Sequence, residues 1–267
     1  MKTIKLLLTG TLALFICISA INAQEYKVNA NNVKKIRVLE VPAEFIFIPA
    51  SGSELIIEST GYEIEVPPKR ADGLKSLTNT AVDNTGLGLE VTNEGGIIKI
   101  LPASKQTTDM EFTIKVPKGI ALEVEYNTPF GNGDVLFKDL NKDIEINSLN
   151  SEITFENVSG PITVYAISGD INITISTLSQ ERPTSITTIS GNIDLALPSA
   201  TKANVLFETI NGDVFTDFDV KSEKEDEENK KDLMRIGGSH AIEGTINGGG
   251  VDLNLKTISN NIYLRKK

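Results

Sequence analysis

The sequence has little with which to do chemistry. Its 267 residues include one cysteine, one histidine and no tryptophan. The cysteine, Cys17, sits inside an apolar run and follows Phe15 and Ile16, not the small residues that a lipid-attachment site needs. The histidine, in Gly237-Gly238-Ser239-His240, reads as a loop residue and not as a general base. One histidine cannot build a histidine-rich metal centre, and without a set of cysteines no zinc site can form. There is no Gly-x-Ser-x-Gly elbow, and no glycine loop for phosphate ahead of a helix. The expected set of catalytic, cofactor-binding and metal-ligating residues is therefore empty, and no cofactor is expected.

Aromatic residues make up only 6% of the chain, which argues against stacking platforms and a deep ligand pocket. Positive charge is also scarce. The 26 Lys and Arg against 36 Asp and Glu give a net charge of -10, which disfavours nucleic acid and anionic membrane surfaces as partners.

Long hydrophobic runs are absent except at the start. Lys2 and Lys5 precede an apolar stretch over residues 6–21, and Ile21-Asn22-Ala23 offers a small residue before Gln24. This predicts a secretory signal peptide over residues 1–23 and not a membrane span, because the run is short and no stop-transfer cluster comes after it. The expected location is outside the cytoplasm, in the periplasm or on the cell surface, with no membrane-spanning segment once the signal is removed. Removal takes away Lys2, Lys5 and Cys17, leaving a net charge of -12 and no thiol. Stability would then rest on packing and backbone hydrogen bonds, without disulfides.

The chain is rich in alternation. Tyr62-Glu63-Ile64-Glu65-Val66, Glu111-Phe112-Thr113-Ile114-Lys115-Val116 and Leu122-Glu123-Val124-Glu125-Tyr126 place apolar residues on one face and charges on the other. That period of two predicts strands with one dry face and one wet face. Residues 24–126 read as an N-terminal β segment, either sandwich-like or simply the first turns of a longer stack. Pro67-Pro68 opens a long loop over residues 67–86, since proline cannot continue a sheet ladder.

Residues 127–267 read as a strand-repeat region. Val135, Ile144, Ile153, Ile162 and Ile171 recur every nine residues. A second period is superimposed, in which an apolar residue is followed by Ser or Asn, a turn residue and a strand. It recurs as Phe130-Gly131-Asn132-Gly133-Asp134, Leu149-Asn150-Ser151-Glu152, Ile167-Ser168-Gly169-Asp170, Ile189-Ser190-Gly191-Asn192 and Ile210-Asn211-Gly212-Asp213. Ile246-Asn247-Gly248-Gly249 and Ile258-Ser259-Asn260-Asn261 read as the last copies. One such repeat cannot bury its apolar face alone, but stacking the next at ~4.8 Å pairs the backbones and extends the core. The expected fold is all-β: a single-chain β-solenoid of short stacked strand repeats, with inward aliphatic ladders, outward polar residues, and Gly and Asn at the corners. An antiparallel sandwich or meander is the competing architecture. A transmembrane barrel is rejected, because the strands are short and aromatic girdles are lacking. A charged insertion over residues 221–236, including Lys221-Ser222-Glu223-Lys224-Glu225-Asp226, cannot enter a core and reads as a solvated loop.

Pro67-Pro68-Lys69-Arg70-Ala71-Asp72-Gly73-Leu74, Asp83-Asn84-Thr85-Gly86-Leu87-Gly88-Leu89, the repeated Ser-Gly-Asp turns and the ending Asn261-Ile262-Tyr263-Leu264-Arg265-Lys266-Lys267 together resemble one family. It is the putative-adhesin family of β-strand-repeat envelope proteins of unknown function, of Bacteroidetes type. The resemblance implies an exported β-solenoid and carries over no catalytic residues. The charged insertion departs from the pattern, and puts any shared binding surface on that side of the stack in doubt.

The functional expectation is a non-enzymatic envelope protein, an adhesin or scaffold that contacts an envelope protein or glycan through a repeated surface. The alternative is a carbohydrate-active β-helix enzyme using surface carboxylates, for which Asp134, Asp143, Glu152, Asp170, Asp194, Asp213 and Asp252 are available. Turn capping by the same side chains is the simpler reading.

Overall fold

The computed structural model describes residues 24–60, 69–72, 74, 81–104, 110–127, 133–222 and 240–267. The expected signal peptide, residues 67–68, 73 and 75–80 of the loop at 67–86, and most of the charged insertion lie outside the described residues. So does the first corner motif as far as Asn132.

The described residues form twenty strands and one 3-10 turn, Lys69–Ala71. In chain order the N-terminal strands are β1 (Gln24–Asn29), β2 (Lys35–Leu39), β3 (Glu44–Pro49), β4 (Glu54–Thr60), β5 (Leu89–Glu94), β6 (Ile97–Pro102), β7 (Glu111–Val116) and β8 (Ala121–Tyr126). The repeat strands come next as β9 (Val135–Lys138), β10 (Ile144–Asn150), β11 (Ile153–Val158), β12 (Ile162–Ser168), β13 (Ile171–Ile175), β14 (Thr184–Ser190), β15 (Ile193–Leu197), β16 (Ala203–Asn211) and β17 (Val214–Thr216). The chain closes with β18 (His240–Ile246), β19 (Val251–Ser259) and β20 (Ile262–Lys266). His240 therefore opens a strand, with its backbone opposite Thr209, and is not the loop residue its glycine neighbours suggest.

Two ten-stranded sheets face each other. From β6 to β17 successive strands alternate between them, so each pair of strands makes one coil and the nine-residue period is half a coil. The solenoid is realised, and strands of the N-terminal segment lie in the same two sheets. Phe112, Phe45, Val135, Ile153, Ile171, Ile193, Ile262 and Val214 stack in register along one sheet, and all but the terminal Val214 are buried. Ile100, Val38, Val124, Ile146, Val164, Ile186, Leu255 and Phe207 form the facing ladder. Each such side chain contributes ~1.5–3 kcal/mol by leaving water. The scarce aromatics are concentrated here. Phe137 stacks between Phe47 and Phe155 at centroid distances of 4.9 and 4.7 Å, matching the spacing between coils.

The spatial order of the coils is not the chain order. From β8–β9 through β14–β15 each coil lies on its predecessor. At the N-terminal end, β2–β3 is seated between β6–β7 and β8–β9. At the other end, β19–β20 is seated between β14–β15 and β16–β17. Antiparallel strands finish both ends: β5 on β6, β4 and β1 beyond β7, and β18 on β16.

The expected repeat copy at Ile246 is corrected by this arrangement. Residues 247–249 form the tight connection that carries the chain from β18, on one side of β16, to β19 on the other. Asn247, Gly248 and Gly249 have φ of 50, 88 and 82°, a region that L side chains adopt at a cost and glycine enters freely. Asn247 pins the turn by donating its side-chain amide to the carbonyls of Ser199 and Thr201.

The two inserted coils are held differently. On β2, Lys35 and Arg37 donate to Glu123 of β8 at 2.5 and 2.7 Å, and Arg37 also reaches Glu125 at 2.8 Å. The Glu123 side chain is 12% exposed. Its burial raises the carboxyl pKa, but the Lys35 and Arg37 hydrogen bonds outweigh that and hold it below the usual carboxylate range. The C-terminal insert relies on Leu253, Leu255, Ile262 and Leu264 inside. Outside, it has two solvent-facing pairs, Arg265 with Asp194 and Lys256 with Glu208.

Candidate functional site

The second sequence period marks the corner at which each coil passes from one sheet to the other, and among the described residues this corner repeats in register from coil to coil. Its four positions have separate physical jobs.

The turn position is Ser151, Gly169, Gly191, Asn260 and Gly212 on successive coils. A Cβ on Gly191 would lie 2.0 Å from the Gly169 carbonyl oxygen, and one on Gly169 would lie 2.0 Å from that of Ser151. At these two glycines the coils approach too closely for a Cβ without a shift of the backbone. The position after it is Glu111, Glu44, Asp134, Glu152, Asp170, Asn192, Asn261 and Asp213, one residue per coil, as the adjoining strand registers require. Part of this column caps the stack internally. The Asn192 N–H donates to the Asp170 carboxylate at 2.8 Å, that of Asn261 to Asn192 Oδ1 at 3.3 Å, and that of Asp213 to Asn261 Oδ1 at 2.9 Å. The position before the turn carries Asn150, Ser168, Ser190, Ser259 and Asn211, paired coil to coil.

The leading apolar position departs from expectation. Alternation predicts polar outward residues, yet Leu149, Ile167, Ile189, Ile258 and Ile210 form an outward column, each lying between flanking residues that pair in register. Ile167, Ile258 and Ile210 are 39, 41 and 48% exposed, and Tyr165 beside them is 45% exposed. The cause is the strict alternation of a strand. Ala166, Thr188, Thr257 and Thr209 occupy the inward position one residue earlier, so the next side chain must point out. The inward residues are small because the corner closes over them, and the Thr257 and Thr209 hydroxyls donate to corner carbonyls. Small inward residues ahead of each corner are the sequence signal for this outward column, and periodicity alone does not expose it.

The seven carboxylates considered for hydrolysis do not converge on one point; they divide among several places. Asp134, Glu152, Asp170 and Asp213 share the corner column. Asp143 pairs with Arg182 at another corner. Asp194 accepts hydrogen bonds on both carboxylate oxygens from Arg265 on the outer face of one sheet, and Asp252 accepts from Asn204 on the outer face of the other. Among the described residues, no group of three or more His, Cys, Asp or Glu is placed to hold a metal ion.

Two of the shallow concavities among the described residues contain carboxylates from this set. One, of about 550 Å³, is lined by Asn204, Leu206, Glu243, Thr245, Asp252 and Asn254. The other, of about 370 Å³, lies along the acidic part of the corner column, with Glu44, Glu111, Asp134 and Glu152 in its wall. Both are open to solvent. No helix among the described residues is long and apolar enough to cross a membrane.

Residues 131–254, most of the repeat region, match the family described as Toastrack DUF4097. Of the residues that carry the family resemblance, this stretch holds the repeated Ser-Gly-Asp turns, while 67–74, 83–89 and 261–267 lie outside it. No curated protein matches the chain. Two solved structures align with it. One is described as a putative cell adhesion protein from Clostridium sporogenes, with 11% identity, coverage of 92% of this chain and 100% of that one, and a TM-score of 0.44. The other is described as a putative adhesin from Bacteroides fragilis, with 10% identity, coverage of 92% and 97%, and a TM-score of 0.36.

Proposed function

We propose that this chain, whose repeat half carries the Toastrack family match, is an exported, non-catalytic binding or scaffold protein of the cell envelope. Its contact surface is the corner, and its partner is an envelope protein or glycan, met in the periplasm or at the cell surface. The observation that carries the reading is the outward column Leu149, Ile167, Ile189, Ile258 and Ile210. The core ladders are complete without these side chains, so packing does not demand large aliphatics there. Placing them on five adjacent coils makes an apolar stripe flanked by hydroxyls, amides and carboxylates at a repeat of ~4.8 Å. Repeated weak contacts along such a stripe add by avidity and need no deep pocket.

The test is recovery of partners from envelope extracts on immobilised protein, with the Ile167→Ser/Ile189→Ser/Ile258→Ser variant as comparison. Wild-type protein is expected to retain a specific protein or glycan and the variant to lose it, with the circular dichroism spectrum unchanged. Equal recovery by both sinks the corner as the contact surface. Turnover of any member of a polysaccharide panel sinks the non-catalytic reading.

A further inference from the structure

The C-terminal end of the stack can be assembled in two ways from the same residues. In the structure, β14 pairs with β19 through Ser185↔Asn254 and Ile186↔Leu255, and β19 pairs with β16 through Asn254↔Leu206 and Leu255↔Phe207. Coil β16–β17 therefore has no strand pairing to β14–β15; its ladder contacts run through β19–β20, beside the short connection at residues 198–202 and the Gln180 side-chain amide donating to the Lys202 carbonyl. Composing the two registers shows what happens if β19–β20 is withdrawn. Ser185 would fall opposite Leu206, Ile186 opposite Phe207, and Ser190 opposite Asn211. In the other sheet, Ile193 would fall opposite Val214 through their common partner Ile262. Every inward residue still meets an inward residue, and the corner columns remain continuous, with Ile189 beside Ile210 and Gly191 beside Gly212.

This second order is also the one that the sequence spacing describes. The step from Ile189 to Ile210 is 21 residues, close to the 22 from Ile167 to Ile189. Nothing in the registers selects against it. The observed order is selected by the burial of Leu253, Leu255, Ile262 and Leu264, which the shorter stack would leave without a place.

We infer that β19–β20 is a displaceable insert, and that the C-terminal end is a two-state element which opens by releasing this coil and closing β16–β17 onto β14–β15. Strand β18 stays paired to β16 in both states, so the connection at residues 247–250 is the pivot. The released segment presents two strands with alternating apolar residues. Opening is intrinsic to the stack and independent of whether the corner binds a partner.

Three outward positions on one line make the test. Ser185, Asn254 and Leu206 lie on adjacent strands, so Ser185 and Asn254 are one strand spacing apart (~4.8 Å) and Ser185 and Leu206 two (~9.6 Å). A disulfide needs Cα atoms within ~7 Å. In a Cys17→Ser background, the full chain carrying Ser185→Cys/Asn254→Cys should close rapidly to an intrachain disulfide. The chain carrying Ser185→Cys/Leu206→Cys should close more slowly in native buffer. Once closed, its amides in β19 and β20 should exchange with solvent at least roughly tenfold faster, while those in β12 keep their protection. If the second pair stays reduced under native conditions while the first closes, or closes only after the whole chain is unfolded in denaturant, the insert is fixed and the inference is overturned.

Discussion

The two ends of the stack use the same topological device with different chemistry. Each has a terminal coil threaded one place inward. The N-terminal insert β2–β3 is clamped by rings and ions. Phe45 stacks on Phe112, Phe47 on Phe137, and Lys35 and Arg37 grip a nearly buried Glu123. The C-terminal insert β19–β20 has aliphatics, an Asn ladder, ion pairs in water and one ring stack, Tyr263 on the half-exposed Phe215 at 5.3 Å, and exposed pairs contribute little. The difference teaches that insertion alone does not make an end rigid. Rigidity follows from how strongly the inserted coil prefers its neighbours to the alternatives, and register does not separate the ends: withdrawing β2–β3 would bring Ile100 opposite Val124, as withdrawing β19–β20 would bring Ile186 opposite Phe207.

Substitutions can break this contrast. The largest effect is expected at Phe137→Ala, which removes a ring packed between the N-terminal insert and the middle coils. It should cost ~3–5 kcal/mol in urea unfolding, with Leu255→Ala in the C-terminal insert costing ~2–5 kcal/mol. Hydrogen exchange separates the two. Phe137→Ala should lower protection throughout the stack, and Leu255→Ala chiefly from β16 to β20. Uniform loss in both variants would erase the distinction between the ends.

Next in size is Gly191→Ala at a middle corner. Its Cβ would meet the Gly169 carbonyl, so the coils must part, at ~1–3 kcal/mol or more. Gly52→Ala, with open space around it, should be nearly silent in the same melt.

Glu123→Gln should cost ~1–2 kcal/mol by leaving Lys35 and Arg37 without their anion. It also carries a pH signature. Because the folded carboxyl titrates below the unfolded value of ~4.3, its contribution is complete above that pH and is lost as pH falls through the folded value. Asp83 behaves in the same sense. Burial raises its pKa, but N–H donors from Thr85, Gly88 and Gly86 outweigh it. Wild-type stability should therefore drop steeply below about pH 4, and Glu123→Gln should flatten part of that drop. An unchanged acid limb would show that the clamp contributes nothing.

The smallest effect on stability is expected at Ile167→Ser, within ~0.5 kcal/mol, because the side chain already faces water. A larger loss would mean that the corner column supports the fold, and would remove the ground for treating it as a contact surface.

Composition and spacing were enough to establish an all-β chain, a nine-residue half-coil and the stacking of Val135, Ile153 and Ile171 into one dry ladder. These are local consequences of strand alternation: a short amphipathic strand must cover its apolar face with the next one like it. The order of coils at the two ends was not legible, because Ile186 pairs with Leu255 in a register that would equally align it with Phe207, the residue on the far side of Leu255. A choice between equally good pairs is decided by the burial of the whole coil, which only the tertiary structure contains. The outward isoleucines obeyed the same logic. Their spacing was in the sequence, but their direction depended on Thr188 and Thr257 claiming the inward place beneath a closing corner.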